Sequence, residues 1–424
     1  MARDNALARH EFKQHWTLVF ASAVGFSFTS VITASTGLFM QPLSEEFGWS
    51  RTLVSSAVSI TSILTFLFSP LFGILIDKIG TRRMVLPGLF LMMVSIVGLS
   101  TLTGSETQWF AIWLVYSVAA LATKSTTWTA AINSTFVSVR GLALGLTLAG
   151  SMIAQVIVPP LGDFLISGFG WRMAYVWLGF GWGSLALLLC IIWFKDGYYR
   201  GQQKRAEKAL SGKAKAPLLD APGLTVQEAW RSPALWRISI SAFLIMIVTI
   251  GVMVHQIPIL VDLGSSRTAA AYYASMGGLA GIAGKVVTGF LLDRYAARWV
   301  GGLTILAGAL TFVLLLLDGQ SVPVVIVAIM INGYTAGAKL QIVGFLTAAY
   351  AGMRNFGTIF GVMASLIAAG SGLGPLVAGS IFDLYGGYAP FLYFGVVGTV
   401  VSALLLFGLG SYPDWKKEER EVFA

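Results

Sequence analysis

Twelve apolar stretches, each long enough for a helix to cross a bilayer at 1.5 Å per residue, follow one another along this chain of 424 residues. The first six run over 16–40, 52–76, 84–103, 109–131, 141–167 and 172–194. The second six run over 235–258, 268–292, 298–317, 322–349, 356–382 and 388–410. Hydrocarbon offers the backbone no hydrogen-bond partners, so runs of this length and kind form helices. Composition agrees: 56% of residues are hydrophobic, 11% are charged, and the mean hydropathy is +0.78, outside the range of soluble globular proteins. The 48 glycines suit close helix packing and the 13 tryptophans suit membrane interfaces. The fold expected is an all-α integral membrane protein.

The net charge of +9 does not point to nucleic acid, because the basic residues lie in short gaps between apolar runs and at the chain ends. With both termini cytoplasmic, only Arg51, Arg172 and Arg267 fall in outer loops, beside Glu45, Glu46, Glu106, Asp262 and Asp318. The opposite orientation breaks the positive-inside rule. A multi-pass protein of the cytoplasmic (inner or plasma) membrane is therefore expected. Arg3, Arg9 and Lys13 make a basic start, but the run from Trp16 to Met40 is too long for a cleaved signal peptide and reads as a retained first span. The single cysteine, Cys190, sits in an apolar run, so it forms no intramolecular disulfide and no cysteine-based metal site, and it leaves the redox compartment open.

The only long polar stretch, Lys195 to Arg231, carries Lys204, Arg205, Lys208, Lys213 and Lys215 and reads as a cytoplasmic linker with some helix in it. It divides the chain into a first bundle over 1–194, a linker over 195–233 and a second bundle over 234–424. The two bundles repeat one another. Gly73 to Arg83 (GILIDKIGTRR) returns as Gly289 to Arg298 (GFLLDRYAAR), an offset of 289 − 73 = 216. Pro160 returns as Pro375, Arg140 as Arg354, and Phe169-Gly170 as Tyr385-Gly386, at offsets of 215, 214 and 216 (375 − 160, 354 − 140, 385 − 169). Four landmarks at nearly one spacing imply two pseudo-symmetric six-helix bundles.

The glycine, acid and base pattern at Gly73, Asp77, Lys78, Gly80, Arg82 and Arg83 between the second and third spans resembles the signature of the major facilitator superfamily. The resemblance covers nearly the whole chain and implies twelve helices in that fold, with this loop as a conformational latch. Read from charge alone, the loop fixes topology; both roles are open. Phe47 to Arg51 (FGWSR), Arg140 to Gly145 (RGLALG), Phe169 to Arg172 (FGWR) and the span from His255 to Arg294 look like the monocarboxylate porter and oxalate/formate antiporter branch. That branch commonly has a substrate-binding arginine where this chain has Lys285. An ammonium lacks the bidentate fork of a guanidinium. The chain departs from the branch elsewhere: its first span lacks the acidic-glycine opening, and Gly281 stands where some porters place an acid.

Three lysines lie within spans: Lys124, Lys285 and Lys339. A charge inside a bilayer costs about 2.5–3.5 kcal/mol on insertion scales. Each comes 15 to 17 residues after its span enters from the outer face (124 − 109, 285 − 268, 339 − 322), roughly 22–26 Å down. Lys124 and Lys339 are repeat mates (339 − 124 = 215), and no Asp or Glu lies at that depth in any span. Snorkelling to the headgroups explains one such lysine; three at one level point to a cationic pocket between the bundles for an anion. Trp128 and Tyr116 near Lys124, and Asn332 and Tyr334 near Lys339, are candidate lining residues, with ordinary helix packing as the other reading of each. His255 is the proton-coupling candidate, since its ordinary pKa of about 6.5 suits a relay; a hydrogen-bonded interfacial histidine is the other reading.

The spans hold no His/Cys/carboxylate cluster and no nucleophile with a base, so neither an enzyme nor a metal or cofactor is expected. The function expected is secondary active transport of a small organic anion, a mono- or dicarboxylate with aromatic ones included, by alternating access with proton-coupled uptake. The partners are that anion, protons and the lipid bilayer, not nucleic acid, and the working unit is a monomer. Exchange of anions without proton coupling and export of amphipathic or drug-like compounds remain open alternatives.

Overall fold

The computed structural model describes residues 2–136, 140–195, 223–352 and 355–413, with side chains described from residue 9 onward except at 69, 70, 73, 74, 77, 133, 140, 141, 293 and 356–358. Arg354, and residues 196–222 of the expected linker, lie outside the described residues. The elements are α1 (Ala2–Phe47), α2 (Arg51–Ile79), α3 (Thr81–Gly98), α4 (Glu106–Ala122), α5 (Ser125–Asn133), α6 (Arg140–Val176), a π-helical stretch (Trp177–Trp182) leading into α7 (Gly183–Trp193), α8 (Val226–Arg231), α9 (Pro233–Asp262), α10 (Arg267–Arg294), α11 (Ala297–Asp318), α12 (Val322–Ala351), α13 (Phe356–Tyr385) and α14 (Ala389–Phe407).

Ten runs of helix are long and apolar enough to cross a membrane. One of them, Leu142–Trp193, has 52 residues, about 78 Å of helix against a hydrocarbon core of about 30 Å, so it cannot be one crossing. Gly170 divides it: φ 78° and ψ 162° there are non-helical, and a positive φ of this kind is open to glycine and costly for other residues. That run is the fifth and sixth spans. The fourth is absent from the ten because it is broken, as α4 and α5. The twelve expected spans are thus all present among the described residues.

The break corrects the expectation of a continuous helix around Lys124. Lys124 has φ −63° and ψ 158°, extended backbone, and stands just before the first residue of α5. An interrupted helix strands carbonyls that lipid cannot satisfy, and here side chains take them. The indole Nε1 of Trp128 donates to the Thr123 carbonyl at 2.7 Å, and the Thr127 hydroxyl donates to the Ala122 carbonyl at 3.1 Å.

The described chain forms two compact units, residues 2–49 with 60–195, and residues 50–59 with 223–413. In the first, α1 packs along α6, and α3 packs along α4 and along the stretch from Trp177 to Trp193. In the second, α9 packs along α13, α11 along α14, and α10 along α12. Counted by span, the pairs are one with five and three with six, then seven with eleven and nine with twelve. The sequence repeat is therefore a repeat of packing. Within the second unit the expected partly helical linker contributes α8, opened by a capping box in which the Thr225 hydroxyl accepts from the Glu228 amide and the Glu228 carboxylate accepts from the Thr225 amide.

Candidate functional site

Glycines set the geometry around the two lysines of the second unit. A Cβ added to Gly333 would lie 2.0 Å from the Gly277 carbonyl oxygen, one on Gly337 would lie 2.0 Å from that of Gly281, and one on Gly284 would lie 2.1 Å from that of Tyr334. No real side chain fits at such separations, so α10 and α12 lie backbone to backbone, as small-residue seams allow in membranes. The matched positions differ by 56, 56 and 50 in number (333 − 277, 337 − 281, 334 − 284). Both helices therefore run the same way, and the mean offset of 54 puts Lys285 level with Lys339 (285 + 54).

Side chains tie the same level together. The Gln341 side-chain amide donates to the Lys285 carbonyl at 2.8 Å, and the Thr288 hydroxyl donates to the Tyr334 hydroxyl at 3.2 Å. Lys339 is buried at 6% exposure and Lys285 half-buried. Among the described residues no carboxylate pairs with either ammonium. Asn332 is also buried, one residue before the seam glycine Gly333, and its carbonyl accepts from the Thr335 hydroxyl at 2.9 Å. Desolvated cations without a fixed counter-charge are costly, and an anion that enters among them relieves that cost.

Lys124 belongs to the first unit, at the joint between α4 and α5. Tyr116 is buried and ends a run of rings down α4: Trp49 to Trp109, Trp109 to Trp113 and Trp113 to Tyr116 are 5.2, 5.5 and 5.0 Å apart. Trp128 is fully buried against Phe26 and Phe194 at 6.5 and 5.3 Å and against Gly25, where a Cβ would lie 2.3 Å from the ring. Its ring is built into the packing of the first unit and its N–H holds the break beside Lys124.

His255 is fully buried in the second unit, in contact with Ser55, Tyr388 and the Pro375 carbonyl. Of the signature loop, the Arg82 guanidinium donates to the carbonyls of Cys190 (3.3 Å), Ile191 (2.5 Å) and Phe194 (2.5 Å), the end of α7 in its own unit. The Asp77 side chain and the burial of Gly73 lie outside what the structure describes. Lys78 and Arg83 are exposed or nearly so. A cavity of about 50 Å³ among α8, α9 and α13 is lined by Trp230, Leu235, Trp236 and Met363 and by no lysine; it does not belong to this site.

Sequence reasoning missed Thr123 and Thr127, because nothing in an apolar pattern marks which hydroxyl will serve a stranded carbonyl. It also missed Asp383, which lies outside the lysine level and whose oxygens accept from the amides of Arg51 and Thr52 at 3.0 and 2.9 Å.

Comparison with known proteins agrees with the fold. The sequence profile of the Major Facilitator Superfamily matches residues 18–261 and 249–423. Monocarboxylate transporter 13 of Bos taurus is 26% identical over 397 residues, covering 93% of this chain and 88% of its own. Agnestins efflux protein AgnL12 of Paecilomyces divaricatus is 24% identical over 412 residues, covering 93% and 88%. Among solved structures, a bacterial homologue of the human lysosomal transporter Spinster, in an inward-facing and occupied conformation, superposes with a TM-score of 0.66 at 18% identity, covering 92% of this chain and 95% of its own. With a family profile spanning both halves, twelve spans and a repeated packing scheme, the chain belongs to the major facilitator superfamily: it is a multi-pass membrane transporter and not an enzyme.

Proposed function

We propose that this transporter moves a small organic anion, a mono- or dicarboxylate, by alternating access. The observation that carries the reading is the level shared by Lys285 and Lys339 on two helices in backbone contact, with no carboxylate beside them among the described residues. Tyr334 and Asn332, between one and two turns before Lys339 on α12, supply hydrogen bonding above that level. Lys124 of the first unit, with Tyr116 and Trp128 supporting it there, is also a substrate-binding residue on the strength of its charge in an apolar span. The signature loop from Gly73 to Arg83 acts as the latch, and His255 is the group through which uptake is coupled to protons. The working unit is a monomer in the cytoplasmic membrane with both termini inside, and its functional parts are 1–194, 195–233 and 234–424. The names of relatives such as monocarboxylate transporter 13 support an anion substrate.

The test is uptake into proteoliposomes, with a panel of mono-, di- and aromatic carboxylates as competitors, with and without a pH gradient. One class of carboxylate should compete, uptake should fall when the gradient is collapsed, and Lys285→Gln and Lys339→Gln should each lose at least tenfold in rate while remaining monodisperse. Near-normal uptake by both variants overturns the assignment. Uptake indifferent to the gradient favours anion exchange. A second reading, export of amphipathic compounds, has its support in a relative named as an efflux protein. It gains if no carboxylate competes and an amphipathic compound does.

A further inference from the structure

The first turns of α2 are held in the second unit by groups that the substrate reading does not use. Residues 50–59 cluster with that unit, while the same helix from residue 60 onward belongs to the first. One uninterrupted helix is thus shared between two compact units. The shared end lies antiparallel on α13: the Thr52 hydroxyl is 3.5 Å from that of Ser380, and the Ser59 hydroxyl donates to the Gly372 carbonyl at 2.5 Å. Position sums of 432 and 431 (52 + 380, 59 + 372) give one register. Gly379 makes room for it, since a Cβ there would lie 2.9 Å from the Thr52 nitrogen.

Two side chains fasten this end. Asp383 caps it, its carboxylate accepting from the amides of Arg51 and Thr52 and from the Thr52 hydroxyl at 2.5 Å, a favourable place for an anion at a helix start. His255 pins it one turn further in. The Ser55 hydroxyl donates to the Arg51 carbonyl at 2.7 Å, so its oxygen can only accept from His255 Nε2, 2.7 Å away. The Pro375 carbonyl, 3.1 Å from the same nitrogen, also only accepts. Nε2 therefore carries the proton, and in the neutral ring Nδ1 accepts from the Tyr388 hydroxyl at 2.8 Å.

We infer that Asp383 and His255 form a releasable clasp on the start of α2, closed with a neutral His255 and opened by its protonation, and that the two are positioning residues for the transport cycle. A proton on Nδ1 takes away the acceptor of the Tyr388 hydroxyl, which must turn to accept from the imidazolium and leave its own proton unpaired in a fully buried site. The groups facing the ring give that displaced proton no free acceptor, although the Asp383 carboxylate partly offsets the added positive charge. From α2 comes the Arg51 guanidinium, stacked over Phe382 at 4.7 Å and itself positive. From α13 comes Asp383, already engaged by three donors. Asp262 of α9 accepts from the Tyr388 amide at 3.0 Å. The closed clasp binds fewer protons than the open one, so it is fully present at alkaline pH and is lost as pH falls. Only the step from clasp opening to transport rests on the reading of His255 as the coupling group; the clasp itself needs no substrate.

The test is a distance. Nitroxide labels on Ser56→Cys and Leu384→Cys, in a Cys190→Ala background and in proteoliposomes, report the clasp by electron–electron resonance at pH 8 and pH 5.5. One short distance is expected at pH 8, with a second, longer population several times larger at pH 5.5 than at pH 8. His255→Gln keeps a donor at the Nε2 position without a titration and should hold the short distance at both values. Asp383→Asn should raise the long population at both. Distances that ignore pH in the parent, a His255→Gln variant that keeps the parent's pH response, or an Asp383→Asn variant identical to the parent overturns the inference. Should His255→Gln fail to fold, the parent's pH series and Asp383→Asn still decide. Carboxylate competition in the uptake assay is read separately, so a clasp that opens in a protein that carries no carboxylate defeats only the substrate reading.

Discussion

Gly284 and the carbonyl oxygen of Tyr334 meet so closely that a Cβ on the glycine would stand 2.1 Å from that oxygen. The contact is what sets Lys285, one residue on, beside the level of Lys339. Gly284→Ala therefore has to push α10 off α12, and overpacking of this kind costs about 1–3 kcal/mol. It should lower the melting temperature in detergent and reduce uptake. Gly289 is the control: its nearest neighbour would be the Gln341 side chain at 3.9 Å, ordinary contact, and Gly289→Ala removes backbone freedom from the unfolded chain. That variant should melt no lower than the parent.

The two lysines of this level should answer differently to arginine. Lys285 is half-buried, and a longer, planar head can swing toward open space; Lys339 is 6% exposed and has no such room. A guanidinium also presents a fixed fork rather than a point charge. Lys285→Arg should retain uptake within a few-fold of the parent, with a changed order among competing carboxylates, and Lys339→Arg should lose at least tenfold. Initial rates in proteoliposomes against a competitor panel check both.

The Arg82 guanidinium closes the end of α7 by donating to three carbonyls. Last-turn carbonyls have no partners of their own, and bonds from a charged donor contribute about 1.5–3 kcal/mol. Arg82→Gln should cost about that much, with faster amide exchange confined to residues 190–195, and Arg82→Lys, which offers fewer directed donors, should fall between. The contrast is Glu46, which takes both ends of Arg172 at 3.0 and 2.6 Å but with side chains 39% and 44% exposed. Pairs this exposed are screened by solvent and contribute little, so Glu46→Gln should barely move the melting temperature.

The spans were legible because hydrocarbon imposes one rule on every residue of a crossing, and the repeat was legible because Gly73 and Gly289, or Pro160 and Pro375, stand at matching places along equivalent helices of the two halves. The level of Lys285 and Lys339 followed from counting, since parallel helices that enter together descend together. What counting missed was local and depended on partners distant in sequence. Nothing in Ala122-Thr123-Lys124 announces that the helix stops there; the stop is stable because Trp128 and Thr127 happen to face the freed carbonyls. Asp383 reads as one more loop acid until α2 is seen to begin against it, 332 residues earlier.

The break at Lys124 offers the sharpest separation of structure from transport. Thr127→Val keeps the shape of the side chain and removes the hydroxyl that donates to the Ala122 carbonyl; Trp128→Phe keeps an aromatic ring and removes the N–H that serves Thr123. Each leaves a buried carbonyl unpaired, at about 1–3 kcal/mol. The two carbonyls adjoin, so the chain has one remedy for both, which is to close the gap and run α4 into α5. Closing it turns Lys124 about the helix axis and out of its extended setting. Uptake should therefore fall in both single variants by more than their loss of stability accounts for. The double variant should cost less than the sum of the singles, since a single rearrangement answers both defects. Thr127→Ser, which retains the hydroxyl, should restore the parent's uptake. Melting temperatures for the cycle, set beside initial rates for the same four proteins, measure both effects, and additive losses would mean that the two carbonyls are served independently and that the break does not act as one joint.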